Sequence, residues 1–310
     1  MPFLHEINPH PLDAILQFTE TDHRYEFVPT GQTVRKSMTG VLKPYFDTFD
    51  GAKIARSGVA KWLRNDSNKY HQLCLYLKNV CEQTEDEIAH TIASEHWPAI
   101  GNLAAVNGTR MHRTLELLVQ GELDPPSAGE EPPHCIAAYA GWRKKFYPDM
   151  ELVPWRVELS IVLTTEVNGT TIPVVAGQID LVLKDKNGRF WLVDWKSTDA
   201  RKKGKIGSSS GKRAFPSRKA AAPFEAFDSD DFSKYSAQLL GYKYMMEHGG
   251  YCERGQIAGA FIVQIHDALD EAHCIEAGEG LGDEFEDAVG FMMEREIEAA
   301  KRQHSEKSEK

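Results

Sequence analysis

A chain of 310 residues and 34.8 kDa is long enough for a full core, as one large domain or as a core with a smaller lobe. Its 41% hydrophobic and 26% charged residues are those of an ordinary soluble globular protein, and a net charge of −10 argues against non-specific coating of nucleic acid, so any such binding needs local basic patches. No apolar run approaches the ~20 residues that span a bilayer, and the opening MPFLHEINPHPLDAI has neither a basic n-region nor an Arg-rich amphipathic character. These features predict no membrane association and an intracellular address, cytoplasm or nucleus with an organelle left open. The cysteines Cys74, Cys81, Cys135, Cys252 and Cys274 are odd in number and lack CxxC spacing, which argues against a disulfide framework, a zinc ribbon or a cluster site and predicts buried free thiols.

In chain order, Arg24 to Val28 and Thr33 to Arg35 read as short strands around the turn PTGQ, and Ser37 or Thr39 is placed to open a helix. Helical signals dominate to about residue 120. From Pro154 the pattern changes to strands, WRVELSIVLTT, VVAGQIDLVLK and RFWLVDWKST, with turns at Asn168-Gly169 and Asn187-Gly188. Arg201 to Lys219 is strongly basic and low in apolar residues, which predicts a mobile loop within about 200–223. A helix at 231–248, a strand at AGAFIVQIH and a helix from Asp283 follow, with a frayed tail over 301–310. The expected division is an N-terminal hairpin and helical region over 1–104, covering a site built on a core over 105–300.

Charge inside the strand pair Gly177 to Thr198 needs an explanation. In Phe190 to Lys196 the two-residue period sets Asp194 and Lys196 on one face and Trp191, Val193 and Trp195 on the other. A two-residue loop at Asn187-Gly188 would put Asp180 opposite Trp195, whereas a three-residue loop, Lys186 to Gly188 with Gly188 left-handed, puts it opposite Asp194. Both turns fit the sequence, so chemistry decides. Two facing carboxylates repel and need a cation between them. Lys196 could supply it as a structural ion pair; a hard divalent ion such as Mg²⁺ suits the carboxylates better and leaves Lys196 beside the nucleophile and the transition state.

Gly177-x-x-Asp180 followed by Asp194-Trp195-Lys196 resembles the GxxD…(D/E)xK core of the PD-(D/E)XK nuclease superfamily. Two flanking segments are similar to its RecB-type branch: Gly108-x-x-x-His112 upstream, and Gln238-x-x-x-Tyr242 downstream. Read without the resemblance, His112 is a satisfied interior histidine, and Tyr235, Gln238, Tyr242 and Met245 form an ordinary packing stripe. The resemblance implies otherwise: His112, Asp180, Asp194 and the Trp195 carbonyl as metal ligands, Lys196 as the catalytic cation, and Gln238 and Tyr242 touching DNA or supporting the lysine. Glu116, one turn beyond His112, and Glu158, on the preceding strand, are expected in supporting roles.

The implied fold is α/β, a central mixed β-sheet flanked by helices in a restriction-endonuclease-like core, with a mainly helical N-terminal region. The implied activity is Mg²⁺- or Mn²⁺-dependent phosphodiester hydrolysis in DNA, leaving 5′-phosphate and 3′-hydroxyl ends. The segment SMTGVLKPYFDTFD is similar to mitochondrial genome maintenance exonuclease-like nucleases, which favours single-stranded DNA ends; a structure-selective or double-strand endonuclease and a non-catalytic nucleic-acid-binding scaffold are the alternatives. Ser37 and Thr39 are then candidate phosphate contacts or ordinary caps. Lys202, Lys203 and Lys205 are candidate DNA contacts in the basic stretch, and Lys53, Arg56, Lys61, Arg64 and Lys69 with Trp62 and Tyr70 a candidate wall over a single strand. The cysteine group of iron–sulphur members is missing, so no such cluster is expected. No Walker A motif is present, so a helicase motor, or another replication or repair protein, would be a separate partner.

Overall fold

A computed structural model describes residues 3–46, 49–123, 133–207 and 218–308. It divides into two compact units, one comprising 1–47 with 111–310 and the other 48–110. In chain order, the first unit opens with α1 (Leu4–Ile7), the strands β1 (Leu16–Thr19), β2 (Arg24–Phe27) and β3 (Gln32–Thr33), and the single-turn α2 (Met38–Leu42). The second unit contains α3 (Gly51–Arg64), α4 (His71–Asn79) and α5 (Glu85–Thr91), and α6 (Trp97–Gln120) contributes residues to both units. The first unit continues with α7 (His134–Met150), β4 (Val153–Val167), β5 (Thr170–Lys184), β6 (Phe190–Lys196), α8 (Ala200–Lys203), α9 (Asp231–His248), β7 (Ile257–Gln264), β8 (His273–Glu276) and α10 (Asp283–Ser308).

β4 to β8 form one mixed sheet in sequence order, antiparallel except for the β6/β7 pair, where α9 provides the crossover that parallel neighbours require. The β4/β5 hairpin closes through Asn168 and Gly169, both at positive φ, as a two-residue turn of this residue pair should. One face of the sheet packs Leu192, Val182 and Phe190 against Met245 and Met246 of α9 and Met292 and Met293 of α10. The other packs Leu181, Val193, Trp195 and Val263 against Leu115 of α6 and Tyr139 and Trp142 of α7. Burial of these apolar side chains is the main stabilising term.

Several details differ from the sequence expectation. The N-terminal strands lie in the first unit, because Phe27 and Val34 bury against Val162 and Ala176 of the large sheet; β1 was not foreseen. α10 continues to Ser308, past the expected onset of fraying at 301, supported by the Lys301–Glu298 pair at 2.7 Å and by Arg35, which donates to Gln303 at 2.9 Å. The basic stretch is anchored at both ends: Ile206 and Ala220 are buried, and Gln264, itself fully buried, accepts from the Ile206 N–H and donates to the Thr198 and Gly204 carbonyls. Residues 208–217 and the side chains of Lys202 and Lys203 lie outside the described residues, Lys205 is exposed, and Arg201 and Lys219 pair with Asp199 and Asp228.

In the second unit Trp62 and Tyr70 face each other at 4.8 Å, and Trp97 donates to the Tyr70 hydroxyl at 3.0 Å. Those rings serve one another, while Lys53, Arg56, Lys61, Arg64 and Lys69 are exposed. The five cysteines are free, but the expected burial holds only for Cys74, since Cys81 on the surface of its unit is exposed and Cys135, Cys252 and Cys274 are half-buried; among the described residues no helix is long and apolar enough to cross a membrane.

Candidate active site

The β5/β6 connection decides which side chains meet. Leu181 pairs with Val193 and Lys184 with Phe190, so the same register sets Asp180 opposite Asp194. The connection closes through an Asp185–Arg189 backbone bond, leaving Lys186, Asn187 and Gly188 as a three-residue loop, with Gly188 at φ +80. Asp185 stabilises that loop by accepting from the Asn187 and Arg189 amides.

The same register argument on the other side of β5 brings in a third carboxylate. Val157 pairs with Leu181 and Leu159 with Ile179, so Glu158 lies opposite Asp180. Glu158 has φ +46 in the middle of a strand, a left-handed conformation that few non-glycine residues adopt. Three acids, Glu158, Asp180 and Asp194, therefore occupy one rung across β4, β5 and β6.

α6 supplies His112, whose Nδ1 is 3.5 Å from Asp180 Oδ1. Potential ligand atoms of His112, Glu158 and Asp180 all lie within 4.8 Å of one another. Two hard oxygens and an imidazole are a donor set suited to a divalent ion. This group differs from the expected one, since Glu158 joins it. Asp194 instead borders it through Lys196, with the lysine Nζ 2.5 Å from Asp194 Oδ2, a buried oxygen without a well-directed hydrogen bond. Trp195 enters through its N–H, which donates to Asp180 Oδ2 at 2.7 Å, while its ring fills the core.

The electrostatics are those of a site short of positive charge. Burial first, then the Asp180 charge, pushes the Glu158 carboxyl up to about 8. Burial likewise raises Asp194 to about 6, with Lys196 opposing and Asp180 adding to the rise. Burial would raise Asp180 too, but His112, Lys196 and the Trp195 N–H together hold it below the usual carboxylate value. For His112 burial works downward and is overcome by Asp180, Glu158 and Asp194, which push the imidazole up to about 9. Lys196 is raised in the same way, its burial outweighed by Asp194 and Asp180. Glu158 and His112 therefore hold their protons more tightly than the free side chains do.

α9 buttresses the rung. Gln238 donates to Asp194 Oδ1 at 3.4 Å and to the Tyr242 hydroxyl at 3.1 Å, and the buried Tyr242 ring lies over Gly177. Gln238 and Tyr242 therefore meet Asp194 and the strand rather than the lysine. Glu116 is bound to Arg113 and Gln120 on its own helix, and its charge helps raise Glu158. Ser37 caps α2 by accepting from the Gly40 N–H at 3.2 Å, and Thr39 is exposed beside it. Tyr25 of β2 also borders the carboxylates: it is buried, and burial followed by the charges of Glu158 and Asp180 pushes its phenol up to about 12. No local pattern in RYEF signals that proximity.

A family model of the PD-(D/E)XK nuclease superfamily matches residues 70–309. No curated protein matches significantly. Among solved structures the chain is similar to SSO0001, at 14% identity over 62% of this chain and 69% of that one, with a TM-score of 0.26. It is also similar to an alkaline exonuclease (LHK-Exo) from Laribacter hongkongensis, at 17% identity over 55% and 72% with a TM-score of 0.24, and to LHK-Exo in complex with dAMP, at 15% over 64% and 85% with a TM-score of 0.23. Those likenesses are too weak to carry an argument about function, and membership rests on the family match. With that match spanning most of the chain, from helix α4 to the end of α10, the protein belongs to the PD-(D/E)XK nuclease superfamily.

Proposed function

We propose that the protein is a divalent-metal-dependent deoxyribonuclease that hydrolyses phosphodiester bonds at single-stranded DNA ends. The observation that supports this most is the rung of Glu158, Asp180 and Asp194 with His112 on one side and the Lys196 ammonium on the other. PD-(D/E)XK nucleases use divalent metals, and His112, Glu158 and Asp180 would hold Mg²⁺ or Mn²⁺, with Asp194 available beside them. Bound there, the ion would supply Lewis-acid charge and a nucleophile at neutral pH.

The chain's own residues do the rest. The Trp195 N–H fixes the Asp180 carboxylate, and Gln238 fixes that of Asp194. Lys196 places a permanent positive charge next to the carboxylates, where it stabilises the negative charge that grows on the phosphoryl oxygens as the bond breaks. Lys202, Lys203 and Lys205, in a stretch rich in cations, are suited to holding the phosphates of the departing strand. The preference for single-stranded ends rests on the resemblance of the segment around Ser37 and Thr39.

Cleavage of end-labelled linear, end-blocked and circular DNAs, single- and double-stranded, with Mg²⁺ or Mn²⁺ tests this. Metal-dependent loss of linear single strands with circles spared is the expected result. Cleaved circles would make the protein an endonuclease. Binding without cleavage under every metal condition would overturn the assignment in favour of a scaffold.

A further inference from the structure

We propose that Tyr235 is a positioning residue for Lys196, its ring face and hydroxyl fixing where the lysine ammonium sits. The inference rests on the nuclease reading, in which that ammonium meets the reacting phosphate. Helix α9 presents Tyr235, Gln238 and Tyr242 at spacings of three and four, which places them on one face. Two of the three already have partners in the site, Gln238 on Asp194 and Tyr242 over Gly177. Tyr235 has the third: Lys196 Nζ lies 4.5 Å from the centre of its ring, within the range where the negative face of an aromatic attracts a cation. Its hydroxyl lies 3.5 Å from Thr198 Oγ1, in the segment that leaves β6 directly after Lys196. The ring thus meets the lysine's ammonium with its face and the chain two residues beyond it with its hydroxyl.

The arrangement answers a chemical need. A lysine is a point charge on a flexible four-carbon stem, and one carboxylate neighbour does not fix its direction. The Asp194 contact at 2.5 Å is also the one a divalent ion would weaken, by drawing on the same carboxylate cluster. The Tyr235 ring has no such competing demand, so it retains the ammonium when the carboxylates are otherwise engaged. A leucine, though smaller, would keep an apolar side chain at that position but offer no quadrupole, whereas phenylalanine would keep the face and lose only the Thr198 contact.

The test compares wild type, Tyr235→Phe and Tyr235→Leu by two readouts. In single-strand cleavage with Mg²⁺, Tyr235→Leu is expected to lower kcat about tenfold with KM for DNA and Tm little changed, and Tyr235→Phe to recover most of the rate. In the metal-free protein labelled with ¹³C-lysine, the Lys196 ε-methylene resonance, assigned by its loss in Lys196→Arg, is expected to be shifted upfield by the ring in wild type and Tyr235→Phe, and to move downfield in Tyr235→Leu. Equal kcat in wild type and Tyr235→Leu, or an ε-methylene resonance indifferent to the leucine, would overturn the proposal. If wild type cleaves no DNA, the nuclease reading fails, and the resonance still decides whether the ring holds the lysine.

Discussion

Gly177 and Tyr242 compete for the same space: a Cβ built on Gly177 would stand 2.4 Å from Tyr242 Cε1. The glycine of the Gly177-x-x-Asp180 motif leaves room for the edge of an aromatic ring from α9, which packs against β5 three residues before the carboxylate. Since Tyr242 is buried, the ring cannot swing into solvent to make room. Gly177→Ala is expected to cost about 1–3 kcal/mol, the usual range for overpacking, and to lower cleavage by displacing Gln238 from Asp194. Urea denaturation alongside an activity assay checks both; a fully stable and active alanine variant would show that the ring yields.

Gly188 is constrained for a different reason. Its added Cβ would meet only Lys184 Cε, at an ordinary 3.8 Å, so the obstacle is its φ of +80 and not space. Gly188→Val should destabilise by about 1–2 kcal/mol or more, whereas Gly188→Asn, which tolerates left-handed backbone, should lose much less. Equal losses for the two variants in denaturant titrations would remove the conformational explanation.

Metal binding should be linked to proton release. Glu158 and His112 are pushed up to about 8 and 9, so at neutral pH they hold protons that a divalent ion must displace, whereas Asp194, at about 6, is already largely ionised. Affinity for Mn²⁺ is therefore expected to rise with pH between about 6 and 9. Calorimetry in buffers of different ionisation enthalpy reads the released protons directly. His112→Ala and Glu158→Gln should each reduce the thermal shift that Mn²⁺ produces in wild type, and an affinity flat across that range would contradict the assigned ligands.

Asp194→Asn and Lys196→Ala are expected to abolish cleavage while leaving the fold intact. Asp194 is paired with the buried Lys196 ammonium, so the neutral isostere leaves that charge without its partner and should still fold but unfold earlier than wild type at pH 7.5. Wild-type cleavage by purified Asp194→Asn would remove that residue from the chemistry.

For the basic stretch, replacing Lys202, Lys203 and Lys205 with Ala should weaken DNA binding for all sequences and flatten the dependence of log K on log salt, by about 0.7 per lost phosphate contact on single strands. An unchanged slope would make the segment a connector.

Much of this site was legible because it depends on short-range rules. The Asn168-Gly169 and Asn187-Gly188 turns, the strand alternation and the bounds of α9 follow from local residue choice, and the loop length at Gly188 followed once two facing aspartates demanded a shared cation. Glu158 was visible only as a nearby acid. Its place beside His112 depends on a left-handed residue inside β4, which alternation cannot reveal. Tyr25 and the packing of Phe27 on the large sheet were hidden for another reason: contacts between residues more than a hundred positions apart leave no spacing to read. The helix to Ser308 was missed because its support comes partly from Arg35, at the other end of the chain.

The backbone at Glu158 also bears on how this protein would evolve. A glutamate at φ +46 is less comfortable there than glycine or asparagine, which enter that region at little cost. Selection for thermal endurance alone would drift toward those residues, and the resulting chain would be sturdier yet lack one of the three side chains proposed to hold a divalent ion. Laboratory lineages propagated under heat, without a demand for cleavage, should accumulate changes at 158 earlier than at Asp180, whose carboxylate is fixed by the Trp195 amide and whose backbone bears no such tension. If Glu158 holds a divalent ion as proposed, position 158 is where durability and metal binding pull in opposite directions.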